Sequence, residues 1–448
     1  MQEMVEIFMS RENQQITEII KYLQSKEKDC RDYKVGVEFE HLIVEQDSLN
    51  AVSYYGPQGV EETLKEMLSY GWVGDYEEGN LLGLHREGAT ITLEPGSQLE
   101  LSTMPQANIP QANIQDIEQE YLNFVNQITP ILKKKKQALL AMGYQPQTSI
   151  ADIGFIPKQR YVFMSDYLKN RGKYAHNMMK GTASMQYSLD YKNEADFIKK
   201  IKVASCLAPV MAVIFDNSPF FEGQVWPQHA ARTVIWQNCD DVRCGPAAKH
   251  GHGWGYGDYA KFILETPPIF IKKKGATIYT GEQPYKELFD PDDYTLEELE
   301  QAMTMVFPDV RAKGFIEIRI ADACPYPLNI AGAAFWKGLL YNEVSVNKLF
   351  EAFQNITVAD IERAKQEVVN KGYQANLAGS TLAELGCRLI QLAKAGLPAD
   401  EIRYLEPLQE LIEQRKSPAE LTKERLPLGK KQAVEWCFIK PSEVCYVP

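Results

Sequence analysis

The segment VGVEFEHLIV (35–44) alternates apolar and polar residues with period two, the spacing that sends successive side chains to opposite faces of a β-strand. Val35, Val37 and Phe39 fall on one face and Glu38 and Glu40 on the other. Three further segments repeat the pattern. In TLEPGSQLELS (92–102), Leu99 and Leu101 oppose Gln98, Glu100 and Ser102. In MQYSLDY (185–191), Met185, Tyr187, Leu189 and Tyr191 oppose Gln186, Ser188 and Asp190. In GFIEIRIAD (314–322), Ile316, Ile318 and Ile320 oppose Phe315, Glu317 and Arg319. Such strands require an antiparallel sheet with one face on a core.

The polar face has two readings. One is water, as antiparallel sheets commonly have. The other follows from composition, since a solvated face usually mixes Lys, Thr and Ser with Glu. Here the polar positions hold Glu38, Glu40, Glu100, Gln186 and Glu317 with Arg319 and no lysine. If the strands are neighbours, the carboxylates converge. Two like charges ~4 Å apart cost about 1 kcal/mol in water and about 4 at an effective dielectric of 20. An enclosed cluster therefore needs cations or raised pKa values. Oxygen-only donors suit Mg2+, which commonly bridges carboxylates to nucleotide phosphates.

Elsewhere the sequence mostly excludes. The net charge of −12 argues against a nucleic-acid or anionic-membrane surface. MQEMVEIFMSRENQQ has no apolar h-region, and no run approaches the ~20 apolar residues of a membrane span. The eight cysteines are scattered without a CxxC pair, which leads us to expect reduced thiols and a cytoplasmic location. No GxxxxGK[ST] loop occurs. GHGWGYG (251–257) is either a surface loop or one that covers a substrate, and the spacing of Cys239, Cys244, His250 and His252 matches no familiar zinc site. Helices are expected over 10–28, over 112–142 up to Gly143, and over 193–215 with a kink or stop at Pro209. The Lys133–Lys136 run reads as a solvated helix face. From about 345 the chain is helical in style, with Thr357 as an N-cap and Gly372 as a stop. The reading is an α+β catalytic domain over 1–344 with a helical section over 345–448 packed on it.

Taken in order, VGVEFEHL, LEPGSQLELS, IGFIPKQRYVFM, GTASMQYSLDY, FDNSPFFEG, ARTVIWQNCD, FPDVRAKGFIEIRIADACP and FWKGLLYNE resemble the glutamate–cysteine ligase family of plant and proteobacterial type. The resemblance implies a glutamine-synthetase-like fold, a curved antiparallel sheet shaped as a funnel with helices around it. It implies ligation of the γ-carboxylate of glutamate to the amine of cysteine through γ-glutamyl phosphate, with Mg2+ and ATP. The product would be γ-glutamylcysteine, the first step of glutathione biosynthesis. Carried over by position, Glu38, Glu40, Glu100 and Glu317 are the Mg2+ ligands, and Glu317 and Arg319 the catalytic residues. Gln186 and Arg319 contact the nucleotide, while Arg160, Arg232 and Glu94 bind substrate. The implied partners are these small molecules, to a monomer or homodimer. KKKGATIYTGEQPYKELF lacks the cysteine of the plant redox hairpin, which puts that switch in doubt. A ligase using another amine, or a non-catalytic binding protein of the same fold, are the alternatives.

Overall fold

The computed structural model describes residues 2–103, 113–248 and 253–441. Its centre is a nine-stranded sheet. The strands are β1 (Val35–Glu45), β2 (Val73–Glu77), β3 (Asn80–Arg86), β4 (Ala89–Leu93), β5 (Leu99–Thr103), β6 (Gln137–Leu140), β7 (Met185–Leu189), β8 (Val310–Ala312) and β9 (Ile316–Ile318). In space they run β8-β9-β7-β1-β5-β4-β3-β2, with β6 pairing the second half of β1. Neighbouring pairs are antiparallel throughout.

The α+β expectation with an antiparallel sheet and helices stands, but the curved funnel does not. The strand path is open, with β8 and β2 as free ends, and the sheet neither closes nor curls. Closure needs the two edge strands to hydrogen-bond to each other with a consistent stagger. Here one edge has only three residues and the other, β2, is largely exposed.

The apolar faces find their core. Val37, Phe39, Leu99, Leu101, Met185, Tyr187, Leu189, Ile316 and Ile318 are all buried. Over them lies helix Leu328–Leu340, so apolar on every side that it is buried nearly throughout, as a central helix must be. It crosses the sheet at Gly332, where a Cβ would stand 1.9 Å from the Tyr187 hydroxyl oxygen. Gly332→Ala is therefore expected to lower stability by about 1–3 kcal/mol through overpacking. Urea unfolding checks this, and wild-type stability would refute the close crossing. Helix Leu382–Gly396 packs on the other side of Leu328–Leu340, where a Cβ at Gly338 would meet the Ala393 carbonyl oxygen at 2.3 Å.

Several sequence boundaries shift. The helix expected over 112–142 is Ile114–Lys134, and residue 112 lies outside the described residues. Lys136 turns left-handed (φ 56°), and Gln137–Leu140 pairs with β1 instead of continuing the helix. Within the lysine run, Lys135 is not solvated: it bonds the Thr63 hydroxyl and Glu66. The 193–215 helix is two, Glu194–Cys206 and Ala208–Ile214, broken just before Pro209. Thr357 caps Val358–Lys371, which stops at Gly372. Among the described residues no helix is long and apolar enough to cross a membrane.

Candidate active site

The polar face of the sheet does not meet open water. It forms the floor of a cavity of about 280 Å³, walled by helices Gln159–Leu168, Ala175–Gly181 and Ala231–Gln237. Register decides what meets there. Glu40 on β1 stands opposite Glu100 on β5, and Glu38 lies between Ser102 and Gln186. Glu317 on β9 pairs with Ser188 on one side and Arg311 on the other. Glu94 enters from the turn after β4, where Ser97 takes a left-handed φ of 72° and its N–H donates to the Glu94 carbonyl.

The carboxylates have different surroundings. Glu40 accepts from the Ser184 N–H (2.7 Å), the Ser184 hydroxyl (2.9 Å) and Gln186 Nε2 (2.9 Å). Glu100 accepts from the hydroxyls of Thr92 (3.1 Å) and Ser102 (3.0 Å) and makes no ion pair among the described residues. Glu38 has no hydrogen-bond or ion-pair partner among the described residues. Burial and the charge of Glu317 push its pKa up to about 7. Burial, then Glu94, raises Glu40. Glu100 is raised well above the usual range by burial and by Glu38, Glu94 and Glu40.

Glu317 is the opposite case. Burial opposes its charge, yet Arg311, Lys313 and Arg319 outweigh it and hold the carboxyl well below the usual range. Its contacts are Arg311 Nε at 2.6 Å, Arg319 Nη1 at 3.0 Å and Lys313 Nζ at 3.4 Å. It is fully buried beneath those cations and does not itself line the cavity. Arg319 also donates to Gln186 Oε1 at 2.5 Å. The Arg319 N–H donates to the Asp309 carbonyl in register with the β8–β9 pairing. On the β7 side the pairing shifts by one residue between Ile318–Tyr187 and the isolated Asp322–Ser184 bridge, and β9 ends at Ile318, short of the expected 322.

Arg232, 4% exposed, is held by the carbonyls of Ile320 (2.9 Å) and Arg319 (3.2 Å) and lies 4.0 Å from Asp322 Oδ1, while its Nε has no hydrogen-bond partner among the described residues. The Arg160 Nε is likewise buried and without a hydrogen-bond partner among the described residues. Tyr161 donates to the Leu93 carbonyl and lies 3.3 Å from Glu94 Oε1, tying helix Gln159–Leu168 to β4. Thus Glu38, Glu40, Glu94, Glu100, Arg160, Gln186, Arg232 and Arg319 all line one cavity, with Glu317 just behind.

Sequence reasoning missed the cations Lys158, Arg311 and Lys313 and the donor Ser184, all in the same lining. Lys158 stands two residues before Arg160 in PKQRY, and Arg311 and Lys313 extend the alternation of β9 into its hairpin partner. No residue of 253–257 lines this cavity, and His250 and His252 lie outside the described residues. Among the described residues no three histidine, cysteine or acidic side chains are already grouped as a metal's ligand set.

A cavity combining facing carboxylates with fixed guanidinium groups on an antiparallel sheet defines an enzyme that handles charged substrates, and the comparisons specify its class. The profile of glutamate-cysteine ligase family 2 matches residues 34–435, and the chain belongs to that family. It is a ligase-type enzyme of the carboxylate–amine class. Among relatives, the glutamate–cysteine ligase of Nicotiana tabacum is 29% identical over 419 residues, covering 90% of this chain and 78% of the relative. That of Medicago truncatula is 28% identical over 437 residues, covering 94% and 84%. The solved glutamate–cysteine ligase of Francisella tularensis, in complex with AMP, shares the fold with a TM-score of 0.56 at 12% identity, over 92% of this chain and 88% of that one. Both plant relatives are chloroplastic by name, which overturns the cytoplasmic expectation. Scattered cysteines without a paired spacing do not distinguish one reducing compartment from another.

Proposed function

We propose that the protein uses ATP to join the γ-carboxylate of L-glutamate to the amine of L-cysteine through γ-glutamyl phosphate. The products are γ-glutamylcysteine, ADP and phosphate, and the reaction opens glutathione biosynthesis. The observation that carries this reading is the single cavity in which four carboxylates face arginines held by the protein's own carbonyls and Glu317. Family membership supports it.

The donor set fits Mg2+. Among the described residues Glu38 is a carboxylate without a hydrogen-bond partner that lines the cavity, Glu100 has only hydroxyl partners, and Glu40 stands opposite Glu100. Glu38, Glu40 and Glu100 would hold the ion. Glu317 joins that shell only by giving up one of its three ion pairs. When bound, Mg2+ neutralises phosphate charge and orients the phosphoryl group. The protein's own residues do the rest. Arg319, fixed by Gln186 and Glu317, meets charge that spreads over the equatorial oxygens during transfer. Gln186 also offers its amide to the nucleotide. Arg232 and Arg160, whose Nε groups have no hydrogen-bond partner among the described residues, take the α-carboxylate of glutamate, and Glu94 its ammonium.

The test is ADP release dependent on glutamate with a panel of amines, the product identified by mass. Cysteine is expected to give the highest kcat/KM. Faster ADP release with another amine would replace the acceptor, and none with any amine would leave a binding protein.

A further inference from the structure

Behind the cavity lies a buried acid pair that the reaction described above does not use. Asp216 and Asp322 are both buried, and neither lines the cavity. Asp216, Asn217 and Ser218, from the FDNSP stretch, hold two things at once. The Asp216 carboxylate accepts the Ala230 N–H at 2.9 Å, at the residue that opens helix Ala231–Gln237, the helix carrying Arg232. The Asn217 N–H (2.9 Å) and the Ser218 hydroxyl (2.6 Å) both donate to Asp322 Oδ2. The other oxygen, Oδ1, lies 4.0 Å from Arg232 Nη1 and accepts no hydrogen bond among the described residues. Room for this arrangement depends on Gly143, where a Cβ would stand 2.2 Å from Asp322 Oδ2 and 2.4 Å from Ser218 Oγ.

Resting on the assignment of Arg232 to the α-carboxylate of glutamate, we propose that Asp322 is the positioning residue for that clamp, seated by Asn217 and Ser218. The two carbonyls that hold Arg232 supply dipoles but no charge, and among the described residues Asp322 is its sole ion-pair partner. Burial works against the charge of the arginine, and Asp322 does most to restore it, ahead of Glu40. A buried guanidinium deprived of its counter-charge is strongly penalised, and a shift toward the next anion relieves the penalty. Here that anion is Glu40, in the same cavity, so the clamp leaves the geometry in which it meets substrate. Asp322 also pairs through its backbone with Ser184, whose N–H and hydroxyl hold Glu40. One residue thereby keeps the arginine and that carboxylate apart.

The experiment is calorimetric titration of the full-length protein with L-glutamate in saturating Mg2+ and adenosine β,γ-imidotriphosphate, alongside glutamate-dependent ADP release from ATP. Burial pushes the Asp322 carboxyl up to about 7, so both are run at pH 8, where it is charged. Asp322→Asn keeps an acceptor for Asn217 and Ser218 but removes the charge. It is expected to weaken glutamate binding about tenfold or more and to raise KM in parallel, with kcat within about threefold. In an Arg232→Gln background, where Arg160 still offers a contact, the same change should cost less than about twofold, because the group it acts through is gone. Ser218→Ala keeps the charge, removes one of the two donors that seat it, and should weaken binding about threefold. It supplies the answer if Asp322→Asn does not fold. Glutamate affinity within about twofold of wild type in folded Asp322→Asn, or in Ser218→Ala if the first does not fold, overturns the proposal. So does an equal loss with and without Arg232, a fall in kcat at constant KM, or a wild type that does not bind glutamate. A wild type that binds glutamate but releases no ADP refutes the ligase reading alone, since the titrations are read without turnover.

Discussion

Arg319→Ala is expected to lower kcat about a thousandfold while changing the KM values for glutamate and ATP by less than about threefold. The side chain is only 13% exposed and is aimed by Gln186 Oε1 and Glu317 Oε2. A donor fixed before substrate arrives needs no reorganisation during the reaction, so its worth is largest in the transition state. Loss of binding alone would instead raise KM at constant kcat. Lysine should restore little, because Nη1 alone holds both acceptors and the rest of the planar guanidinium is left for the phosphoryl oxygens, a division that a single ammonium cannot reproduce. Steady-state ADP release measures this, and a kcat within threefold of wild type would remove Arg319 from phosphoryl transfer.

Glu38→Gln is expected to stabilise the ligand-free protein at pH 8 and to cripple its use of Mg-ATP. The sign follows from the pKa. The folded value, near 7, lies above the ordinary 4.5, so between those values the folded state holds the extra proton. Stability from this group is therefore intact below pH 4.5 and is lost as pH rises through 7. The loss at pH 8 is at most about 3 kcal/mol, and at pH 5 under about 1. Glutamine imitates the protonated form and escapes the penalty. In a chain this long the gain corresponds to only about 3 °C in Tm, so denaturant titration at the two pH values is the better measurement. With Mg2+ and nucleotide present the order should reverse. A Glu38→Gln protein less stable than wild type at pH 8 without ligands would contradict the picture of an unneutralised carboxylate wall.

The acidic half of this site was legible in the sequence, and most of the basic half was not. Period two alone puts Glu38 with Glu40 and Glu100 with Ser102, because a strand has only two faces. It does not say that Glu40 stands opposite Glu100, since register depends on turns and distant partners. Arg319 was visible on its own strand, and Arg160 and Arg232 only through the resemblance, because both come from helices that wall the cavity. Lys158 sits at the start of such a helix, and Arg311 on a three-residue strand too short to announce itself. The same limit applies to the sheet's outline. Alternation shows that strands have a buried face, but whether the two outermost strands meet depends on residues that never touch.

The edge hairpin β8–β9 gives the site a role in folding specificity. Its Arg311 and Arg319 converge on Glu317, two strands away from Glu38 with β7 between, although the two segments are far apart in the chain. A one-residue slip of β1 would turn Val37 and Phe39 toward these cations and send Glu38 and Glu40 into hydrocarbon. Such a slip is penalised twice, once by buried acids and once by guanidinium groups facing an apolar strand. The strands synthesised late thus verify the alignment of the first. A chain able to assemble its reaction chamber has, by the same contacts, rejected its misregistered sheets.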